Sequence, residues 1–115
     1  FLAAHQPVRS ECGVRINAVG TTDGEHDLAA LAQSPAAPDF VMLPKVESAE
    51  AVRHVDRTLG HQDTRIIALI ETPRGLLDAR AIAAASPKLS ALMFGGFDFM
   101  VALRGRPGWD SFLPP

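Results

Sequence analysis

One hundred and fifteen residues, 47% of them apolar, supply enough chain and enough hydrophobic side chains for one small domain with its own core. A formal charge of −2 leaves no basic footprint for nucleic acid or an anionic membrane surface, and no apolar run approaches the roughly 18 residues that span a bilayer. The single cysteine, Cys12, excludes an internal disulfide and a multi-cysteine zinc site. The opening FLAAHQPVRSE has no basic region ahead of its short apolar stretch, so no signal peptide is expected, and the simplest expectation is a soluble cytoplasmic protein.

In chain order, GVRIN (13–17) reads as a short β-branched strand, and DLAALAQ (27–33) has helical spacing and propensity. DFVMLP (39–44) is the second apolar strand. Ser48 then stands three residues ahead of an Ala/Val/His/Val/Leu pattern that runs to Leu59, with Gly60 as a stop. RIIALIE (65–71) is the third strand. Thr72 is placed to cap the next helix, Pro73 to open it and GLLDARAIAAA to continue it. LSALMFGG (89–96) is the fourth strand, and DFMVALRG begins another short helix.

The order βαβαβαβα with continuously apolar strands implies a parallel sheet covered by helices. A dinucleotide-binding sheet would carry G-x-G-x-x-G after its first strand, where this chain has NAVGTTDGE, and no Walker A sequence occurs. The expected fold is therefore an α/β (β/α)8 TIM barrel. Such a barrel takes about 250 residues, so residues 1–115 are expected to form a partial barrel domain of about four consecutive βα units, a fragment of something longer. The tail RGRPGWDSFLPP reads as a loop leading onward.

In a parallel sheet all strand C-termini lie on one side, and ligands bind there. The polar residues at or just past those ends are Arg15 and Asn17, Lys45 and Glu47, Glu71, and Asp98. Two carboxylates converging from different strands with cations nearby suit a hard divalent ion. Magnesium takes one or two protein carboxylates and keeps its other positions for water and substrate. It would also neutralise Glu71, which ends a buried strand where an ionised carboxylate is expensive. Arg15 could then clamp a carboxylate or a developing enolate oxygen with its planar fork of donors.

Simpler roles compete with each assignment. Glu71 could pair with Lys45 or Arg74, and Asp98 could cap the helix after Gly95-Gly96-Phe97. Arg15 could be a structural ion-pair partner, and Lys45 with Glu47 a positioning pair. The histidines at 5, 26, 54 and 61 have no ligand spacing, Cys12 has no indicated base, and the three methionines read as core filling. Ser34 and Ser86 lie beside prolines, with no G-x-S-x-G elbow.

The blocks VRINAVGTTDGEHDLAAL, DFVMLPKVESAEAV and ALIETPRGLLDARAIAAASPKLSALMFGGFDFMVALRG closely resemble the citrate lyase β-subunit-like proteins of the HpcH/HpaI aldolase superfamily, which includes malyl-CoA and citramalyl-CoA lyases. The resemblance runs from Val14 to Gly105; PKVES, IET-x-RG and FG-x-x-D in this order carry it. It implies a (β/α)8 barrel in trimers or hexamers and magnesium-dependent cleavage or formation of a carbon–carbon bond. By motif, Glu71 and Asp98 would be the Mg²⁺ ligands, Glu71 also lying at the substrate, and Arg15 the catalytic and substrate-binding arginine. The implied substrates are a 3-hydroxyacyl-CoA thioester of the citryl, malyl or citramalyl type, giving an acyl-CoA and a 2-oxo acid.

Two departures stand out. The family barrel's first strand, its later strands and its C-terminal segment have no counterpart here. GGFD replaces the commoner GAED form, putting Phe97 where an acid precedes the aspartate. Two other readings stay open: an aldolase acting on free 2-oxo acids, and a non-catalytic homologue that keeps the barrel for binding or assembly. PKVES and ETPRG side with the CoA-ester branch, and no phosphohistidine-like motif supports phosphoryl transfer.

Overall fold

A computed structural model describes residues 10–104. The four strands anticipated from the sequence form one parallel sheet: β1 (Gly13–Arg15), β2 (Phe40–Leu43), β3 (Arg65–Ile70) and β4 (Leu89–Phe94), in the order β1-β2-β3-β4. Each new strand adds to the same edge, without the reversal that makes the ligand crevice of a doubly wound sheet. Consecutive parallel addition is also how strands follow one another around a (β/α)8 barrel.

Between the strands lie α1 (Thr22–Gln33), α2 (Ala49–Leu59), α3 (Pro73–Leu77) and α4 (Ala79–Ala83), and α5 (Gly96–Ala102) follows β4. Helix α1 begins five residues before the apolar pattern that announced it, because Thr21 accepts a hydrogen bond from the Gly24 N–H and closes the first turn over polar residues. Ser48 caps α2 through the Ala51 N–H, and Gly60 ends it at φ 57°, a left-handed conformation that glycine adopts without a Cβ clash. The single helix expected after Pro73 is divided at Asp78, which is both the C-cap of α3 and the N-cap of α4.

Strand alternation sorts the core. Val41, Leu43, Ile66, Ala68 and Ile70 are buried together with Leu28, Val52, Val55, Leu59 and Ile82 from the helices. Cross-strand register places Arg15, Met42, Ile67 and Ala91 side by side on the opposite face, where Met42 and Ile67 are only half-buried. Ser90 is an extra residue between Leu89, which pairs with Ile66, and Ala91, which pairs with Ile67; its hydroxyl donates to the Ile66 carbonyl. Beyond this bulge the sheet is open. Leu92, Met93 and Phe94 on β4 and Phe97, Val101 and Leu103 on or next to α5 are exposed, so apolar surface gathers at the β4 end. Among the described residues, no helix is long and apolar enough to cross a membrane.

Candidate functional site

The strand C-termini do converge. Arg15, Asn17, Lys45, Glu71 and Asp98 line one cleft of about 420 Å³, together with Thr21, Asp23 and Pro44. Its size lies within the range typical of small-molecule sites.

Glu71 follows directly on the buried end of β3 and is itself only 7% exposed. Among the described residues no lysine or arginine reaches ion-pair distance of its carboxylate, so neither Lys45 nor Arg74 neutralises it in the way the sequence left open. Lys45 instead contributes its main chain: its N–H donates to Glu71 Oε2 at 2.9 Å. To do so Lys45 adopts φ 51°, left-handed and uncommon for a residue with a side chain, at a cost on the order of 1 kcal/mol. The rest of its loop is held firmly. Val46 is buried and its N–H donates to the Leu69 carbonyl at 3.1 Å, while Gly75 of α3 packs against the Val46 carbonyl with no room for a Cβ.

The other side of Glu71 is closed by Gly95. The Gly95 N–H donates to the Ile70 carbonyl at 2.9 Å, extending the β3–β4 ladder to its last residue, and the Gly95 Cα lies against the glutamate side chain. Glu71 is thus held between a main-chain donor on one neighbouring strand end and a bare Cα on the other. Three residues on, Asp98 is the third residue of α5 and is half-buried; the helix is capped by Gly95 without a side-chain bond, so Asp98 is not the N-cap. Its charge lies in the first turn, where the helix dipole favours an anion.

On the β1 side, Arg15 is the last residue of its strand, exposed, and without an ion-pair partner among the described residues. Asn17, two residues on, is fastened: Asp27 Oδ2 accepts both its main-chain N–H at 2.9 Å and its side-chain amide at 2.8 Å. These two bonds, the main-chain one first, hold the Asp27 carboxyl below its ordinary range. A second carboxylate fixes the same loop: Glu25 accepts from the Gly20 N–H at 3.0 Å and lies 2.8 Å from His54 Nε2 on α2, and that contact is the main cause of its lowered pKa. Glu47, unlike Lys45, turns away from the cleft and accepts from the Thr72 hydroxyl at 3.1 Å, tying β2's loop to the cap of α3.

Sequence reasoning did not single out Thr21, Asp23, Asp27 or Gly95. Asp23 lies in the polar run ahead of the apolar helix pattern and Asp27 is that pattern's polar first residue, and the pairing of Gly95 with Glu71 exists only through the β3–β4 register.

The donor set suits a hard cation. Glu71 is buried with no cation beside it, its second oxygen Oε1 has no hydrogen-bond partner recorded among the described residues, and Asp98 adds carboxylate oxygens from a different element. Among the described residues no group of three or more His, Cys, Asp and Glu could hold a metal, so the protein would supply two carboxylates and leave the other positions to water and ligand.

Comparison with known proteins supplies a context for this arrangement. The family model described as HpcH/HpaI aldolase/citrate lyase matches residues 1–108. The citrate lyase subunit beta-like protein of Mycobacterium tuberculosis is 47% identical over 92 residues, which cover 80% of this chain and 30% of that protein. The mitochondrial citramalyl-CoA lyase of Homo sapiens is 34% identical over 106 residues, covering 78% of this chain and 31% of that one. Among solved structures, RipC from Yersinia pestis superimposes with a TM-score of 0.82 at 38% identity, over 89% of this chain and 47% of RipC. The chain thus spans about a third of the length of the curated relatives it matches.

Proposed function

Because the chain belongs to the HpcH/HpaI aldolase/citrate lyase family, we propose that it is the metal-binding part of a Mg²⁺-dependent carbon–carbon lyase acting on a 3-hydroxyacyl-CoA thioester. In this reading the described residues are four βα units of a (β/α)8 barrel, and the whole protein is a cytoplasmic trimer or hexamer. The observation that carries the metal assignment is Glu71: a buried carboxylate with no cation beside it among the described residues, in a cleft that also contains Asp98 and Arg15. The names of the relatives, a citrate lyase subunit beta-like protein and a citramalyl-CoA lyase, support the CoA-ester substrate class.

Glu71 and Asp98 would hold one Mg²⁺, which would act as a Lewis acid towards the oxygens of the 2-oxo acid portion of the substrate. The remaining work falls to side chains and loops. Cleavage takes the proton from the 3-hydroxyl, breaks the bond between C2 and C3 of the acyl chain, and leaves its electron pair on the thioester as an enolate, which then takes up a proton. Arg15 stands at the end of β1 with its guanidinium free of carboxylates among the described residues, suited to offset the enolate charge or to hold the substrate carboxylate by two parallel hydrogen bonds. Asn17, fixed by Asp27, gives the β1 side of the cleft a defined polar wall.

Metal titration tests the assignment directly. Glu71→Gln and Asp98→Asn should each weaken Mg²⁺ binding while leaving the folded secondary structure intact. Unchanged affinity in either variant removes that residue from the metal site.

A further inference from the structure

Among the described residues that line the cleft, Lys45 alone is left-handed without being glycine, and its N–H is the donor on Glu71 Oε2. We infer that Lys45 is a positioning residue that acts through its main chain: its left-handed conformation aims the N–H at Oε2 and fixes the Glu71 carboxylate for metal binding. The metal half of this inference rests on the reading of Glu71 given above.

Several observations converge on it. With Val46 held, φ at Lys45 sets the angle between its N–H and the chain that follows, and Pro44 immediately before has no N–H of its own to offer. Val46, immediately after, is pinned to the Leu69 carbonyl and packed under Gly75, so the loop cannot relax to relieve the strain at Lys45. Strain in a sparsely populated backbone region persists only where the surroundings over-determine it, and here they converge on one carboxylate. With Gly95 closing the opposite side, the hydrogen bond at Oε2 leaves Oε1 without a hydrogen-bond partner among the described residues. Such outer partners of a ligand set its orientation and hence the metal affinity.

Backbone and side-chain roles separate in two variants. Lys45→Gly removes the ammonium but keeps the N–H and adopts the left-handed conformation freely. Lys45→Val removes the ammonium and resists that conformation, as β-branched residues do. In the full-length protein carrying this chain, Lys45→Gly should bind Mg²⁺ as the unaltered protein does, and Lys45→Val about 10-fold or more weakly, the usual loss when an outer partner is removed. Circular dichroism should find both folded. Crystal structures of the two should show the Glu71 carboxylate in place in the glycine variant and displaced in the valine variant. An unmoved carboxylate in Lys45→Val, or an equal displacement in both, overturns the inference. That structural readout holds whether or not Glu71 binds metal. If Glu71→Gln binds Mg²⁺ normally, the metal reading fails, while the position of the carboxylate still decides the role of Lys45.

Discussion

Gly95 stands directly against Glu71: a methyl group added at Gly95 would come within 2.7 Å of Glu71 Oε1 and closer still to its Cγ. The glycine therefore fixes where the buried carboxylate can lie. Gly95→Ala should push Glu71 off the Lys45 N–H, cost about 1–3 kcal/mol in overpacking, and weaken Mg²⁺ binding beyond what that loss of stability accounts for. Thermal unfolding and metal titration on the same variant check this. A lowered melting temperature with normal metal affinity would make Gly95 a packing residue only.

Arg15→Lys keeps the charge at the end of β1 and loses the planar fork. Turnover should fall on the order of 10- to 100-fold while Mg²⁺ affinity stays unchanged, because Arg15 is assigned to substrate and not to metal. Steady-state kinetics beside a metal titration separate the two. Equal turnover would reduce Arg15 to a surface residue.

The Asp27–Asn17 fastening sets an expected pH dependence. Asn17's two hydrogen bonds hold the Asp27 carboxyl below its ordinary 3.8, so folding favours the ionised form. The contribution is fully present above pH 3.8 and is lost as the pH falls through the lower folded-state value. Following the Asn17 side-chain amide signals by NMR during acidification should show them shift only below the ordinary carboxylate range. In Asp27→Asn the same signals should not titrate there, and a shift at the same pH in that variant would contradict the assignment.

Thr72 works in two directions, accepting from the Gly75 N–H and donating to Glu47. Thr72→Ala should destabilise the protein by about 1 kcal/mol, as loss of a helix cap does, and Thr72→Ser should recover most of it. Chemical denaturation of the two variants checks the difference, and an alanine variant as stable as the serine variant would show that the cap contributes nothing.

Much of this architecture is legible in the chain. Strands β2 and β3 are continuous apolar runs, Ser48, Gly60 and Thr72-Pro73 punctuate the helices chemically, and the polar residues collect at strand ends. What escaped reading has physical causes. Helix α1 opens with polar residues, so its start is set by the Thr21 cap and not by hydrophobic period. The break at Asp78 interrupts a stretch of good helix formers and left no signal strong enough to divide it. The hold on Glu71 depends on two residues far along the chain, Lys45 through its backbone angle and Gly95 through the absence of a side chain, and neither property is visible until the strands are in register.

The central claim, a metal-dependent lyase on CoA esters, is tested most directly by incubating the full-length protein with malyl-CoA and citramalyl-CoA, with Mg²⁺ and then with EDTA. Release of acetyl-CoA and a 2-oxo acid from either substrate, stopped by EDTA and by Glu71→Gln, is the expected result. Cleavage that persists in EDTA, or a folded protein that binds Mg²⁺ and cleaves neither thioester, would contradict it.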